Sequence, residues 1–218
     1  MKCIRMLAGA VPLIVVIGCG NPANNVPKAA VSSETNGDAA VTAAPASSDK
    51  VFAITPATSK IEFIGSKVTG SHKGGFTNFT GELRVADGKI AGAGNKIVID
   101  MNSTWTDNSR LTGHLKTPDF FDAANFPNAQ FVSTAVEKKS TNYMVSGNLT
   151  LHGVTKQISF PADIQVSDQA IEIKSQFVLN RFDFQVKYAG KANDLVRKEV
   201  VIRLNVKATP GKATVASL

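Results

Sequence analysis

Short runs of alternating apolar and polar residues fill most of the chain between residue 50 and residue 207. In one of them, Ile171, Ile173, Phe177 and Leu179 share one parity, and polar residues hold most of the other. A period of two is typical of a β-strand with one buried face. The pattern therefore predicts an all-β, antiparallel domain. Its expected strands are 60–68, 80–86, 95–104, 129–137, 142–151, 156–166, 170–184 and 198–207.

Turn-forming residues separate these runs. Asp87-Gly88 predicts a tight turn between two strands, and Gly74-Gly75 predicts a turn before Phe76. The Ser-Gly-Asn sequence at 146–148 predicts a bulge or a bend. Eight strands can close into a barrel with room for side chains or one small ligand, or they can stack as two sheets around a filled core. The period alone leaves both architectures open.

One short helix is predicted over residues 118–125. Thr117 is expected to cap it, and Pro118 suits its first position. So short a helix is not stable by itself in water. We therefore expect it to dock on the β structure through Phe120, Phe121 or Phe126, with at least one ring in the mouth or the lumen, where the helix can act as a gate.

The N-terminus has the features of an export signal over residues 1–18. Lys2 and Arg5 precede an uncharged run that is too short to span a bilayer. The run ends in Val-Ile-Gly-Cys, which resembles a bacterial lipobox and predicts an acylated Cys19 that tethers the protein to a membrane. An ordinary signal cleavage nearby is the alternative.

The rest of the chain then divides into three parts. Residues 19–50 are rich in Ala, Asn, Ser and Pro and predict a lipidated flexible linker. Residues 51–207 suit one β-barrel domain, and residues 208–218 resemble a frayed tail. Such a lipoprotein belongs in the cell envelope and faces the periplasm. Gly20, in place of an aspartate, favours the outer membrane.

Composition and charge narrow the function classes. The formal net charge is +7, but Lys and Arg are scattered and form no basic stripe, so nucleic acid is not an expected partner. His72, His114 and His152 lack metal-ligand spacing, so neither a metal nor another cofactor is predicted. No motif of a nucleophile, P-loop or dinucleotide site is present either. The sequence predicts a protein that is not an enzyme.

Arg181 is a charged residue on a mostly apolar face. It shares its parity with Phe177 and Leu179. A buried guanidinium is costly unless it is paired. We expect it to lie at a rim, to meet the polar head of a ligand or, as the favoured alternative, to pair with Asp183 or Glu62.

Several segments together resemble the YceI family of exported bacterial proteins. The segments are SKIEFIGSKVTGSHKGGFTNFTGEL (59–83), HLKTPDFFDAANFPNAQFVST (114–134), VSGNLTLHGVTKQISFPADI (145–164) and RFDF (181–184). The resemblance implies an elongated, lipocalin-like, eight-stranded antiparallel barrel that encloses a long isoprenoid chain. Family members often have Asp and Arg where this chain has Gly113 and Lys116.

The resemblance and the strand parity together predict a ligand site. Its expected residues are Phe120, Phe121, His114, Tyr143, Leu149, Leu151, Phe160, Ile173, Phe177, Leu179 and Arg181. The expected function is binding, and transport or storage, of an isoprenoid, quinone-like or other long apolar molecule. Two alternatives stay open: an enzyme that acts on a lipid-like substrate in the same cavity, and a structural lipoprotein with a filled barrel. The sequence does not decide whether the chain forms a homodimer.

Overall fold

The computed structural model describes residues 20–33 and 50–212. The longer strands are β2 (Lys50–Ile54), β3 (Lys60–Lys67), β4 (Gly70–Phe76), β5 (Phe79–Ala86), β7 (Lys96–Asp100), β9 (Asn128–Lys138), β10 (Tyr143–Leu151), β11 (Val154–Val166), β12 (Ile171–Asn180) and β15 (Glu199–Pro210). The shorter strands are β1 (Ala30–Ser32), β6 (Lys89–Ile90), β8 (Thr104–Thr106), β13 (Gly190–Lys191) and β14 (Asp194–Leu195). The helices are α1 (Ser109–Leu115) and the 3-10 turns Met101–Ser103 and Arg181–Phe184.

The longer strands close into an eight-stranded antiparallel barrel with one α-helix. Three of the eight walls each consist of two consecutive strands with a bend between them: β2 and β3, β4 and β5, and β7 and β8. The walls then follow chain order through β9, β10, β11, β12 and β15. The ring closes because β15 pairs with β12 on one side and with β2 and β3 on the other. The closed ring excludes the two-sheet alternative, and the predicted fold class is confirmed.

Local details of the strands follow the predicted turn chemistry. Asp87 and Gly88 have positive φ values of 51° and 73°, as a tight hairpin turn requires. The register between β9 and β10 shifts between Ser146 and Gly147, but the extra residue of this bulge is Thr134 on β9, opposite the predicted position.

Gly74 and Gly75 lie inside β4 and do not form the predicted turn. A Cβ on Gly74 would lie 2.6 Å from the Trp105 carbonyl oxygen, and one on Gly75 would lie 2.7 Å from the Ile61 carbonyl oxygen. These glycines therefore allow close packing of neighbouring strands. The sequence prediction missed both β4 and β2.

The helix does not lie where it was predicted. It occupies Ser109–Leu115, and the Asn108 side chain caps it by accepting a hydrogen bond from the Leu111 N–H at 3.0 Å. The Thr117 hydroxyl instead donates to the His114 carbonyl oxygen at 2.8 Å, at the C-terminal end of this helix. The predicted helix over 118–125 is wrong: the segment is a series of turns, in which Asp122 has a φ of 46°.

Residues 20–33 pack on the outside of the barrel, which corrects the prediction that the whole of 19–50 is a flexible linker. β1 pairs with β11 from Ser159 to Gln157, and the Ala29 N–H donates to the Val178 carbonyl oxygen of β12 at 2.9 Å. Ala23 packs with Val178 and Val201. The extended backbone finds partners here because β11 and β12 share a ladder only at 163–166.

The remaining terminal predictions are tested only in part. The signal at 1–18 and the lipidation of Cys19 lie outside the described residues. The predicted tail at 208–218 is corrected at its start, because β15 runs to Pro210 and pairs with β2 at Thr209 and Pro210. Within the described part of the chain, no helix is long and apolar enough to cross a membrane.

Candidate ligand cavity

The barrel encloses a cavity of about 440 Å³. Its volume falls within the range of about 300–1,000 Å³ that is usual for small-molecule sites. Apolar side chains from the inner faces of the strands form most of its wall, among them Ile61, Leu83, Ile97, Phe131, Leu149, Leu151, Phe160, Ile173, Phe177, Leu179, Ile202 and Leu204. The inner faces therefore surround a hollow instead of interlocking as a solid core.

Aromatic rings form one part of this wall. Phe160 on β11 stacks on Phe177 on β12, with ring centroids 4.3 Å apart and planes 15° apart. Phe131 on β9 lies 5.8 Å from the Phe160 ring in a tilted arrangement. Rigid rings of this kind provide a large apolar surface with little loss of side-chain entropy on contact with a ligand.

The turns after α1 close one end of the cavity. Phe121 lines the cavity and packs edge-on against Phe63, with centroids 6.4 Å apart. Phe120 also lines it and packs against Tyr188, with centroids 5.0 Å apart. Both predicted phenylalanines thus contact the lumen. They do so from turns held by backbone hydrogen bonds, such as that from the Phe121 N–H to the Leu115 carbonyl oxygen at 3.0 Å.

His114 and Tyr143 do not line the cavity, whereas all the other predicted ligand-site residues do. The His114 ring lies between Phe120 and Tyr188, and its Nε2 is 2.8 Å from the Asp119 carboxylate. Tyr143 starts β10 and packs half-buried against the main core. Their parity or sequence position suggested a lumen contact that the tertiary packing does not provide.

Arg181 lines the cavity, but it pairs with neither predicted acid. Its guanidinium donates to four main-chain carbonyl oxygens, those of Val186 at 2.6 Å, Tyr188 at 2.6 Å, Arg197 at 3.0 Å and Val196 at 3.1 Å. Burial lowers the pKa of this guanidinium below its ordinary value. Arginine remains charged all the same at neutral pH. The side chain therefore fixes the segment 186–197 over one end of the barrel.

The two acids considered for Arg181 have other partners. Glu62 lies 3.1 Å from the Lys73 ammonium group, and Asp183 accepts from the Asn180 side chain at 3.1 Å. The prediction of an ion pair is therefore wrong. Carbonyl oxygens replace a carboxylate because the chain turns back over the guanidinium at 186–188 and again at 196–197.

Sequence reasoning also missed several polar residues of the wall. Asn95 and Ser133 lie at the cavity and are buried, and the Asn95 amide nitrogen is 3.0 Å from the Ser133 Oγ. Ser66, Lys67, His72 and Arg197 also line the cavity. Lys67 could have been found by parity, because it follows Ile61, Phe63 and Gly65 at a spacing of two. Parity also marks Asn95, which precedes Ile97 and Ile99, and Ser133, which follows Ala129 and Phe131.

Metal-ligand geometry is absent from the described residues, where no group of three His, Cys, Asp or Glu side chains is arranged to hold an ion.

Solved structures share this fold. BcnA of Burkholderia cenocepacia has a TM-score of 0.65 over 72% of this chain and 99% of its own, at 24% sequence identity. A polyisoprenoid binding domain from Saccharophagus degradans, described as implicated in plant cell wall breakdown, has a TM-score of 0.60 over 74% of this chain and 99% of its own, at 18% identity. At these identities, the likeness shows a common fold.

Sequence relatives and a family model narrow the relationship further. A UPF0312 protein of Yersinia enterocolitica is 35% identical over 91 residues, and one of Yersinia pestis is 37% identical over 91 residues. The chain spans about half of these relatives, 47% of the length of each. The model of the YceI-like domain matches residues 52–208, from β2 to β15. The chain therefore belongs to the YceI-like domain family.

Proposed function

We propose that the barrel binds an isoprenoid or another long-chain apolar molecule in its lumen. The observation that carries the proposal is the cavity of about 440 Å³, whose wall is almost entirely aliphatic and aromatic. Removing apolar surface from water contributes about 25 cal/mol per Å². A chain-like ligand would gain from the whole length of such a wall. The fold shared with a polyisoprenoid binding domain supports the same class of ligand.

The buried polar residues Asn95 and Ser133 in the cavity wall have a structural role and need no catalytic one. The buried polar pair in the wall is already satisfied: the Ser133 Oγ lies within hydrogen-bond distance of the Asn95 backbone and amide nitrogens, and the Asn95 Oδ1 accepts from the Arg84 N–H at 2.9 Å. These groups hold β5, the loop before β7, and β9 together. They leave no free acid or base at that depth, which supports a binding protein over an enzyme.

Membrane attachment and transport are further parts of the proposal. An acylated Cys19 would hold the barrel at the periplasmic side of the cell envelope, most simply on the outer membrane. A barrel at a membrane surface is well placed to store an apolar molecule or to carry it away from the bilayer. Mass spectrometry of the intact mature chain tests the attachment, because acylation adds the mass of its lipid to Cys19.

A substitution that fills the cavity with a larger side chain tests ligand binding. Leu204 on β15 lines the lumen, whereas its neighbour Asn205 is exposed on the outer face. We expect native mass spectrometry and organic extraction of the purified protein to recover a long-chain lipid. The variant Leu204→Trp should retain much less of it, while Asn205→Trp, the matched control, should retain the wild-type amount. Recovery of no lipid from the wild type, or equal recovery from both variants, would contradict the proposal.

A further inference from the structure

The wall between β11 and β12 is joined directly over only part of its length. Residues 163–166 of β11 pair with residues 171–174 of β12, and the Ser175 hydroxyl then donates to the Pro161 carbonyl oxygen at 2.6 Å. Far longer ladders join the opposite edges of the same two strands, because the whole of β10 pairs with β11 and the whole of β12 pairs with β15. The seam between β11 and β12 is therefore the weaker side of both strands.

Residues 27–32, which we call the strap, fill the rest of this seam. On one side, β1 pairs with residues 157–159 of β11. On the other side, the Val178 N–H donates to the Pro27 carbonyl oxygen at 2.8 Å, and the Ala29 N–H donates to the Val178 carbonyl oxygen at 2.9 Å. Both of these main-chain bonds to β12 are made with one residue, so the strap can leave β12 without breaking a long ladder.

The strap lies over the aromatic part of the cavity wall. Two of its side chains, Ala29 and Val31, are partly buried and pack against the main core, which includes Phe160 and Phe177. Those two rings also line the cavity, and Phe177 directly precedes Val178 in β12. Loss of the strap from Val178 would therefore uncover the outer side of the stacked rings, and the lumen lies on their inner side.

An opening along the side of a barrel suits a chain-like ligand. A long apolar chain that leaves through an end exposes its length to water, and the cost grows with the exposed area. A slit between two strands lets the same chain pass sideways into a bilayer. Residues 20–26 connect the strap to Cys19, so an acylated Cys19 would hold this seam beside the lipids.

We propose that the strap is a releasable strand that covers a lateral opening of the lumen between β11 and β12. Its detachment from Val178 and the separation of the Phe160 and Phe177 rings open a slit through which an apolar chain exchanges with a bilayer. The inference rests on the proposed function, since it requires a ligand in the lumen. It assigns the route of exchange to the side of the barrel and not to the end that the turns after α1 close.

Transfer of a fluorescent probe from the protein to vesicles tests the opening. The probe is diphenylhexatriene, an elongated apolar hydrocarbon that fluoresces in apolar surroundings. The acceptors are phosphatidylcholine vesicles that carry an NBD-labelled lipid, which quenches the probe on arrival. A chain that begins at residue 20 retains the strap and the barrel and lacks both native cysteines, Cys3 and Cys19. An introduced pair of cysteines therefore forms the one disulfide possible within that chain.

The double variant Lys28→Cys/Val178→Cys locks the strap to β12. These residues are directly paired, and directly paired residues of neighbouring strands lie within reach of a disulfide. We expect the oxidised variant to transfer the probe about tenfold more slowly than the reduced variant, with little change in affinity. Gln176→Cys/Arg203→Cys is the matched control, because it joins directly paired residues of β12 and β15 within a continuous ladder. Its oxidised and reduced forms should transfer the probe at the same rate.

Ala29→Pro tests the strap without a disulfide. Proline has no N–H, so this variant loses the hydrogen bond to the Val178 carbonyl oxygen while the lumen keeps its lining. We expect transfer of the probe to become about threefold faster or more. The equilibrium affinity for the probe should stay close to that of the wild type.

The outcomes separate this inference from the function on which it rests. Equal transfer rates in the oxidised and reduced Lys28→Cys/Val178→Cys variant overturn the lateral opening but leave apolar binding intact. Equal slowing in the oxidised control pair, or the wild-type rate in Ala29→Pro, also overturns it. If the probe does not bind and no lipid is recovered from the purified protein, the proposed function fails, and the lateral opening fails with it.

Discussion

Phe160 and Phe177 stack face to face inside the barrel, across two strands whose backbone ladder has already ended. Their centroids lie 4.3 Å apart, whereas β11 and β12 pair only from Asp163 to Val166. Outside the same gap, β1 pairs with β11, and the Val178 N–H donates to the Pro27 carbonyl oxygen at 2.8 Å. This wall is therefore closed by two rings on the inside and by residues 27–32 on the outside.

The stacked pair should contribute strongly to stability. Phe177 is 4% exposed, and Phe177→Ala removes both its apolar contacts and its ring partner. We expect the free energy of unfolding to fall by about 3 kcal/mol. Urea denaturation followed by circular dichroism measures it. Val68→Ala, at a side chain that is 56% exposed, should change it by less than about 0.5 kcal/mol. A loss below 1 kcal/mol in Phe177→Ala would contradict this account.

Residues 20–33 should stabilise the barrel although they lie outside the YceI-like match. We compare a chain that begins at residue 20 with one that begins at residue 34. The shorter chain loses the β1 pairing and exposes Val178 and Val201, so we expect it to be less stable by about 2–4 kcal/mol. Thermal unfolding should show a drop of roughly 5–10 °C. Equal melting temperatures would mean that β1 contributes nothing to the closure.

Arg181 should be irreplaceable by another cation. Arg181→Met leaves four carbonyl oxygens without a donor, and we expect a loss of about 3 kcal/mol. Arg181→Lys should recover little, because an ammonium group lacks the planar fork that reaches several acceptors at once. Hydrogen exchange provides a local readout: the amide of Val196, which donates to the Ala189 carbonyl oxygen, should exchange faster in both variants. Full recovery by lysine would show that charge alone matters.

Acid should release the segment that covers this end of the cavity. The pKa of the Asp194 carboxyl is lowered chiefly by the hydrogen bond from the Lys67 ammonium group, with further donation from Thr69. A carboxylate with a lowered pKa stabilises the fold above its unfolded pKa of about 3.9, and this stabilisation is lost as the pH falls through the folded value. The wild type should therefore be more stable than Asp194→Asn at pH 5, and the difference should shrink as the pH falls below the unfolded pKa of about 3.9.

Urea midpoints at half-unit pH steps between pH 5 and pH 2 measure this difference. Lys67→Met removes the other partner of the ion pair, so it should lose the same part of the acid dependence. A difference between the wild type and Asp194→Asn that does not change with pH would show that the pair does not couple protonation to folding.

The alternating pattern was sufficient to predict the barrel walls whose two faces differ most. Ile171, Phe177 and Leu179 keep one parity throughout β12, and they line the lumen or pack in the core as that parity requires. Regular alternation works because one face of each strand meets the apolar interior and the other meets water.

The parts that were not predicted depend on contacts that are distant in sequence. β4 lacks apolar alternation because Gly74 and Gly75 allow the Trp105 and Ile61 backbones to approach. The helix was misplaced because Asn108 caps an earlier start, whereas the Thr117 hydroxyl is used elsewhere. The four carbonyl oxygens that accept from the Arg181 guanidinium come together only when the chain folds back on itself. The residue types alone do not specify that path.

If Cys19 is acylated as we propose, the packing of Ala23 against Val178 and Val201 would limit how far the barrel can move from the lipid. Ala23 is the fourth residue after that cysteine, and an extended chain covers at most about 3.6 Å per residue. An acylated N-terminus would thus keep the β12 side within roughly 15 Å of the bilayer surface. The body could neither swing freely nor turn over, and the seam between β11 and β12 would remain the side nearest the lipids.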